Sequence, residues 1–517
     1  FKSLLIAGLT LGLLAMMRRR SAAERSWVAH IGLLALVIMA LAPLVLPTWN
    51  VEAPALFGET PAVAAPAPTA AAAPSPREFD KLAQANITTA AIRAAATPAP
   101  APAHQSSLGA VATATAVYAV PAAILVTSMF LRGGSPKLEL YLVCFDLGWW
   151  YDNAHEREIR QAVLEKAGIH DDQLLTHMGH THSGPITNLQ NLDRKGGHLI
   201  PPYREKIVDG AVAVIKQSKA NAQTAVASWA TGRCDLARNR DLVLYSETFL
   251  CSVNPDGPAD DTVLVGRITD MSGKIMATMV NYACHPVSLG GGNKLISPDY
   301  YGAMREVVER DTGGAPCFFL HGASGDMTPL RSYEADTAIA DQNGRQLGYA
   351  ALSTLTGMLP PEQEIAFDRI EDSGARLGRW SLRAKPASTT LKITRTATEL
   401  PYVDLPTEAE LLEALKDCTD RPLKERLERR LMVRRDVGDG TSRKVAVTLL
   451  QLGDAFLVGA PAEAYAVFQQ EIRARFPGHA VMVLNIVNGN VGYLAPAATY
   501  DKPGLYQIKI SLFQPGC

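Results

Sequence analysis

The sequence predicts an α/β fold in residues 108–517, with a mixed α+β arrangement as the alternative. Continuous apolar runs such as LELYLVCF and PCFFLHG are typical of strands buried on both faces of a sheet. Segments with helical spacing, among them residues 156–166 and 203–220, alternate with these runs. Because strands slightly outnumber helices, we expect mixed sheets.

Turn and cap signals divide the region further. The runs TVLVGRITD and GKIMATMVNYAC predict two strands joined through a Ser-Gly turn. Thr407 and Glu410 form a capping box that opens a helix. Gly453 and Asp454 separate two more strands, and HAVMVLNIVNG predicts another. In the apolar segment 111–131 we expect a buried strand pair, with a membrane span as the alternative.

Composition excludes some classes of protein. The 517 residues carry 50 Lys and Arg against 51 Asp and Glu, so the chain lacks the positive excess of a nucleic-acid-binding protein. Seven cysteines without a CxxC pair are too few for a disulfide scaffold. A chain of this length can instead bury one large core or a few domains.

The first residues have the pattern of a membrane anchor. Apolar runs cover residues 4–17 and 27–49, and the second reaches the roughly 20 residues that a membrane span needs. Arginines 18–20 lie between the runs, so the positive-inside rule places this loop in the cytoplasm and everything after Trp49 across the membrane. We expect a membrane hairpin in residues 1–50, with a signal peptide followed by a core helix as the alternative.

Residues 51–107 are dominated by alanine and proline. Such a composition cannot bury a core and predicts an extended linker. Residues 108–517 then form a separate domain. We expect this domain to be anchored to the membrane and to lie on the extracytoplasmic side.

Histidines cluster in the segment LTHMGHTHSGP, which holds His177, His180 and His182 where a predicted strand ends. In an extended segment, residues two apart face the same side, so His180 and His182 would point at one place. Ligands bind at such strand ends in α/β proteins, and imidazole is a common zinc ligand. The pair predicts a divalent-metal site, with a structural pair as the alternative.

Other polar residues also follow apolar strands. His285 ends NYACH, Glu463 follows a strand in FLVGAPAEAY, and Tyr493 and Asp326 follow two more strands. Taken singly, His285 could be a core histidine and Glu463 an acid in the first turn of a helix. Because each of these residues lies where a strand ends, we expect them to converge on one metal site.

Seven motifs occur in a fixed order: HTHSGP, NRDLV, NYACHP, GASGDMTP, APAEAY, GYLAP and YQIKISLFQPG. In this order and spacing they resemble the neutral, non-lysosomal ceramidase family over about residues 132–517. The resemblance implies one catalytic zinc ion and a lipid substrate. The implied reaction is hydrolysis of the ceramide amide to sphingosine and a fatty acid.

The resemblance assigns roles to matching positions. Thr328 stands where the family has a serine once suspected as the nucleophile, but no serine lies in a GxSxG elbow. A metal-activated water is therefore the expected nucleophile. The implied metal ligands are His180, His285, Glu463 and Tyr493, and the implied catalytic residues are His182, Arg240 and Tyr506.

The sequence also departs from the family. The segment before CFDLGWW matches poorly, and Gln507 stands where an acid is common. Two alternatives therefore stay open: a zinc hydrolase of the same fold that acts on a non-ceramide amide or ester, and a catalytically degenerate, membrane-tethered binding protein. We expect no C-terminal immunoglobulin-like domain, and the start at Phe1 indicates a piece of a longer protein.

Overall fold

The computed structural model describes the part of the chain that carries these motifs. The expected membrane hairpin in residues 1–50 and the linker in residues 51–107 lie outside the described residues. Within the described residues, no helix is both long and apolar enough to cross a bilayer. The described residues are 112–114, 126–133, 138–151, 153–245 and 248–517.

Strands and helices are numbered in chain order. The strands are β1 (Ala112–Ala114), β2 (Val126–Gly133), β3 (Leu138–Phe145), β4 (Leu174–Met178), β5 (Ala225–Arg233), β6 (Ala237–Leu244), β7 (Thr248–Asn254), β8 (Thr262–Asp270), β9 (Ile275–Tyr282), β10 (Cys317–His321), β11 (Met327–Pro329), β12 (Gln363–Asp372), β13 (Arg376–Ala384), β14 (Leu391–Pro401), β15 (Ser442–Leu452), β16 (Ala455–Gly459), β17 (Glu463–Ala464), β18 (Ala480–Leu484) and β19 (Tyr493–Leu494). The helices are α1 (Asn153–Ala167), α2 (Ile200–Ala220), α3 (Tyr300–Asp311), α4 (Thr337–Thr356), α5 (Glu408–Lys416), α6 (Arg421–Val437), α7 (Ala466–Arg475) and α8 (Tyr506–Ile510).

The predicted mixed α/β fold is confirmed. Among the described residues, three four-stranded sheets have the orders β1-β2-β3-β4, β10-β9-β8-β5 and β14-β15-β16-β18. Each sheet combines antiparallel pairs with one parallel pair, namely β3 with β4, β9 with β10, and β16 with β18. The strand pair expected within residues 111–131 is present as the antiparallel β1 and β2.

The local turn and cap signals are also confirmed. β8 and β9 form the predicted antiparallel pair. Helix α5 begins with the predicted capping box: Thr407 N donates to Glu410 Oε2 (2.7 Å), and Glu410 N donates to Thr407 Oγ1 (3.2 Å). The residues that specify these features lie close together in the chain, which is why the sequence predicts them.

The three sheets share one apolar core. In β3, Leu140 and Leu142 point into this core, while Tyr141 and Val143 point to the opposite face of the sheet. On the outer faces, α1 and α2 cover the first sheet, α3 and α4 the second, and α7 the third. Strands β3, β9 and β10 are therefore covered on both faces, which accounts for their continuous apolar runs, whereas most residues of β14 in the third sheet are exposed.

The segments that leave the parallel strands meet at one place. Asn485 N donates to His321 O (3.0 Å), and Gly322 N donates to Tyr282 O (2.9 Å). These bonds join the carboxyl ends of β9, β10 and β18. A β-bridge between His177 of β4 and Val487, which follows β18, brings the end of β4 to the same place. The arrangement creates the strand-end location that α/β proteins use for ligands.

Candidate metal centre

His180 lies just beyond β4, where the backbone is no longer extended. Its φ of 68° is left-handed, and its backbone N–H donates to Leu147 O (2.8 Å). A Cβ on the preceding Gly179 would lie 2.5 Å from the hydroxyl oxygen of Tyr301, so glycine is required there. The expected extended alignment of His180 and His182 is therefore wrong, although their ring centroids still lie 4.8 Å apart.

Backbone carbonyls determine which ring nitrogen of each buried histidine faces the site. His180 Nδ1 lies 2.9 Å from Gly148 O, and His285 Nδ1 lies 2.8 Å from Ser324 O. A carbonyl oxygen only accepts hydrogen bonds, so both Nδ1 atoms are assigned the proton. In the neutral rings, both Nε2 atoms then present lone pairs to the site.

Glu463 and Tyr493 come from two short strands that lie side by side. β17 and β19 pair in parallel, and Glu463 and Tyr493 are direct partners in that register. Helix α7 begins only at Ala466, so Glu463 is not an acid in the first turn of a helix. The pairing places Tyr493 Oη 3.5 Å from His285 Nε2.

Three ligand atoms converge at the centre of the site. His180 Nε2 lies 3.0 Å from His285 Nε2, and Glu463 Oε2 lies 3.2 Å and 3.3 Å from these two nitrogens. Zinc–nitrogen bonds of about 2.0–2.1 Å place the ligand atoms of a tetrahedral site ~3.3 Å apart. The spacing of the three atoms therefore fits a tetrahedral metal ion such as zinc.

The three atoms need a positive charge among them. Burial, and then the Arg240 guanidinium, lowers the pKa of His285 to about 3, which keeps that ring neutral. Burial acts to raise the pKa of Glu463, but a proton that the carboxylate can share with the facing rings of His180 and His285 outweighs burial and holds that pKa well below its ordinary value. An ionised, buried carboxylate beside imidazole nitrogens takes up either a proton or a metal ion. The chemistry of this donor set thus suits a divalent cation.

His182 completes a group of histidines that could hold a metal ion. The ligand atoms of His180, His182 and His285 all lie within 4.8 Å of one another. His182 is exposed while the other two are buried, and its Nδ1 lies 3.1 Å from His180 O. The closer approach of Glu463 favours that carboxylate as the third ligand. His182 then lies on the open side with an unprotonated Nε2, where it can move a proton.

Arg240 reaches the cluster from a β-bulge. The register between β6 and β7 shifts between Asn239 and Asp241, and a bulge redirects the side chains around it. Arg240 is buried; its Nε and Nη2 donate to Gly325 O (3.0 and 2.7 Å), and Nη2 also donates to Tyr493 Oη (3.0 Å). These bonds hold a positive charge beside the ligand atoms.

Aromatic side chains line the exposed edge of the cluster. The ring of Tyr506, in α8, lies 6.1 Å from that of Tyr493, and Tyr506 is 45% exposed. The ring of Trp149 lies 5.3 Å from that of His182. All seven residues that the family resemblance implies are therefore brought together, with His182 and Tyr506 at the exposed edge. Their individual roles stay predictions.

Asp326 and Thr328 do not join the ligand atoms. Asp326 Oδ1 accepts a hydrogen bond from Ala466 N (2.7 Å), the first residue of α7, and burial raises the pKa of Asp326 to about 7. Its carboxyl group therefore binds a helix terminus. Thr328 is fully buried in β11, where no substrate reaches its hydroxyl group.

His321 and Ser324 are members of the site that the sequence analysis missed. His321 is the fully buried last residue of β10, and its ring centroid lies 5.1 Å from that of His180. Its Nε2 lies 2.6 Å from Ser324 Oγ. A usable signal was present, because His321 ends the apolar run PCFFLHG in the same way that His285 ends NYACH.

Comparison with solved structures finds this fold in ceramidases. One is a ceramidase complexed with C2, with a TM-score of 0.51, 17% identity, and 79% of this chain and 70% of that chain covered. Another is the neutral ceramidase from Pseudomonas aeruginosa, with a TM-score of 0.51, 18% identity and the same coverage. No family model and no curated protein matches the chain. The resemblance read from the seven motifs is thus confirmed for the fold, and the chain has the fold of the neutral ceramidases.

Proposed function

We propose that this chain is a zinc-dependent hydrolase that cleaves the amide bond of ceramide or a related N-acyl lipid. The products are a free amine, sphingosine in the case of ceramide, and a fatty acid. One observation carries the proposal: a buried carboxylate and two imidazole nitrogens lie 3.0 to 3.3 Å apart. The names of the ceramidases that share the fold support a ceramide-like substrate.

In this proposal, His180, His285 and Glu463 hold the zinc ion, and Tyr493 is the fourth ligand. When bound there, zinc lowers the pKa of a water toward neutrality and polarises the amide carbonyl. Burial raises the pKa of Tyr493 well above its ordinary value, so its phenol is a weaker ligand than the other three. Water and substrate would approach the metal from the side of His182, which is exposed.

The remaining residues supply proton transfer and charge. His182 Nε2 takes a proton from the attacking water and returns it to the leaving amine, which departs only when protonated. Arg240 is held by Gly325 O and Tyr493 Oη, so its charge is in place before the reaction and stabilises the developing oxyanion. Tyr506 lies at the exposed edge, where it contacts the substrate.

We also propose that residues 1–50 anchor the protein in a membrane, with the hydrolase domain on the extracytoplasmic side. The apolar runs and the basic cluster between them support this topology. A lipid substrate and a membrane anchor are compatible, because both keep the domain close to a bilayer. A reporter enzyme fused after residue 60 should be active outside the cytoplasm, and cytoplasmic activity would contradict the proposed topology.

The decisive experiment combines metal analysis with product detection. The purified full chain should contain zinc in about equimolar amount and release fatty acid from ceramide. Chelation should remove both the metal and the activity, and zinc should restore them. Zinc without fatty-acid release from ceramide would leave a metal hydrolase with another substrate. Full activity in a chelated, metal-free sample would overturn the metal mechanism.

A further inference from the structure

We propose that His321 is a positioning residue for the metal centre and acts through Ser324 on the metal ligand His285. This inference rests on the metal centre proposed above and adds a residue for which neither the motifs nor the ligand geometry provides a role. His321 does not contact the three converging ligand atoms. Its effect is to fix the ring that carries one of them.

A chain of short contacts links His321 to the ligand. His321 Nε2 lies 2.6 Å from Ser324 Oγ. Two oxygens of Ser324 lie close to His285 Nδ1: the carbonyl O at 2.8 Å and Oγ at 3.2 Å. Since these contacts determine the tautomer and the rotation of the ring, they direct His285 Nε2 at the metal position.

Ser324 lies in a turn that also holds the other parts of the site. Gly325 O accepts hydrogen bonds from the Arg240 guanidinium, and Gly325 N donates to Ala464 O, next to Glu463. A shift of the backbone at Ser324 and Gly325 would therefore move His285, Arg240 and the strand of Glu463 together. His321 is the side chain that restrains the Ser324 hydroxyl group in this turn.

The cost of burying His321 supports a role beyond packing. The residue is 0% exposed, and its Nδ1 has no hydrogen-bond partner in the described part of the chain. A buried polar group without a partner destabilises the folded state. An apolar side chain of similar size would avoid that cost, so packing alone does not account for an imidazole at this position.

The ring of His321 also packs beside both buried ligands. Its centroid lies 5.1 Å from that of His180 and 5.8 Å from that of His285. A serine hydroxyl beside a histidine ring is also the arrangement of a serine nucleophile and its general base, but Ser324 is 0% exposed. Its hydroxyl group therefore cannot attack a substrate, and a positioning role is the interpretation that fits both its contacts and its burial.

Two amide substitutions separate this role from packing. The Gln amide nitrogen reaches about as far as His Nε2, while that of Asn stops near the position of Nδ1. His321→Gln should therefore keep the contact with Ser324 Oγ and the wild-type zinc affinity. His321→Asn should lose the contact and bind zinc about 10–100-fold more weakly.

Zinc affinity is measured on the full chain by competition with a chromophoric chelator, and cobalt substitution reports the ligand geometry through its visible spectrum. Thermal unfolding of each metal-free variant checks its fold. Equal zinc affinity of His321→Asn and wild type would overturn the inference. Absence of zinc binding in wild type would overturn the proposed function itself.

Ser324→Ala gives the answer if His321→Asn does not fold. It leaves both histidines in place and should weaken zinc binding by itself. Where His321→Asn does fold, the two losses should not add in the double variant. Wild-type zinc affinity and an unchanged cobalt spectrum in Ser324→Ala would contradict the proposed link.

Discussion

Two regions depart, in opposite ways, from the rule that polar side chains are exposed and apolar side chains are buried. They are the metal centre and the two-stranded ribbon of β12 and β13. The centre buries polar groups: His180, His285 and Arg240 are each at most 3% exposed. The ribbon exposes large apolar groups, including Phe367 at 47% and Trp380 at 59%. Buried polar clusters and exposed apolar faces are both informative departures.

Four large apolar side chains of the ribbon share one face. Ile365 pairs with Leu382 and Phe367 with Trp380 across the antiparallel ribbon. The other face carries charged groups, among them the ion pair of Arg379 and Glu371. All four apolar residues are exposed, and a two-stranded ribbon is only marginally stable by itself.

The difference lies in what each region requires in order to be stable. At the metal centre, His180, His285 and Arg240 are each held by hydrogen bonds to backbone carbonyls, and the converging ligand atoms still need a cation. In the ribbon, the apolar side chains have few contacts to lose. Substitutions at the centre should therefore change metal binding and activity strongly, while substitutions in the ribbon should change little. Four predictions follow from this contrast, from the largest effect to the smallest.

Removal of a metal ligand should have the largest effect. His285→Ala or Glu463→Ala should lower zinc affinity by more than the roughly 100-fold that loss of a supporting contact costs, and ceramide hydrolysis should be lost with the metal. Metal content and fatty-acid release measure both effects. His182→Ala is the control and should keep zinc while losing turnover. Wild-type zinc content in Glu463→Ala would remove Glu463 from the ligand set.

Arg240→Ala should reduce turnover and leave zinc bound. Its guanidinium donates to Gly325 O and Tyr493 Oη and does not ligate the metal. Loss of one preorganised donor reduces kcat about 10²–10³-fold. Arg240→Lys should recover only part of the rate, since it keeps the charge without the planar fork. Loss of zinc from Arg240→Ala would show that the residue holds the site together instead.

Asp326→Asn should change the pH dependence of stability. Burial raises the pKa of Asp326 from 3.8 to about 7, so folding favours the protonated form. The contribution of Asp326 to the free energy of unfolding should therefore fall as pH rises from about 4 to about 7, by up to ~4 kcal/mol. Asn keeps an acceptor for Ala466 N without the charge, so the pH profile of the variant should differ from that of wild type by the loss of this contribution.

Denaturant unfolding of the metal-free protein between pH 4 and 8 measures the effect of Asp326→Asn. Removal of the metal is necessary because metal binding itself depends on pH. Asp341→Asn, at an exposed position of α4, is the matched control and should follow the wild-type profile. A pH profile of Asp326→Asn that matches that of wild type would show that Asp326 makes no such contribution.

Substitutions in the ribbon should have the smallest effect. Phe367→Ser with Trp380→Ser removes one exposed cross-strand pair, which is worth about 0.2–1 kcal/mol, and zinc affinity should not change. Phe319→Ser is the contrasting variant. Phe319 is buried, and its ring centroid lies 4.6 Å from that of Tyr301, on which it stacks. Loss of a buried aromatic side chain lowers the free energy of unfolding by about 3–5 kcal/mol. A large loss in the ribbon variant would show that its apolar face is covered in the full protein.

Local patterns predicted the regular elements well where their sequences are apolar. The runs that form β3, β9 and β10 read as buried strands because helices cover the outer faces of their sheets. The strands β6, β12 and β13 were not predicted, because charged side chains such as Arg238, Asp241 and Glu371 interrupt their apolar runs. The ribbon in particular has no buried face to produce a strong pattern.

The candidate site was predicted in its residues but not in its geometry. The sequence indicated that His180, His285 and Glu463 follow apolar strands, and the structure places their ligand atoms together. It did not indicate the left-handed backbone at His180 or the bulge at Arg240. Both features depend on packing against other segments, which local propensity does not describe.

The sequence by itself determined which residue types end the apolar strands, and therefore which ligands the site has available. Only the tertiary structure decided how those ligands face one another. Glu463 and Tyr493 become neighbours through the pairing of β17 with β19, and His321 becomes a support for His285 through Ser324. Contacts of this kind join segments that are far apart in the chain, so pairing register and burial decide them, and local propensity does not.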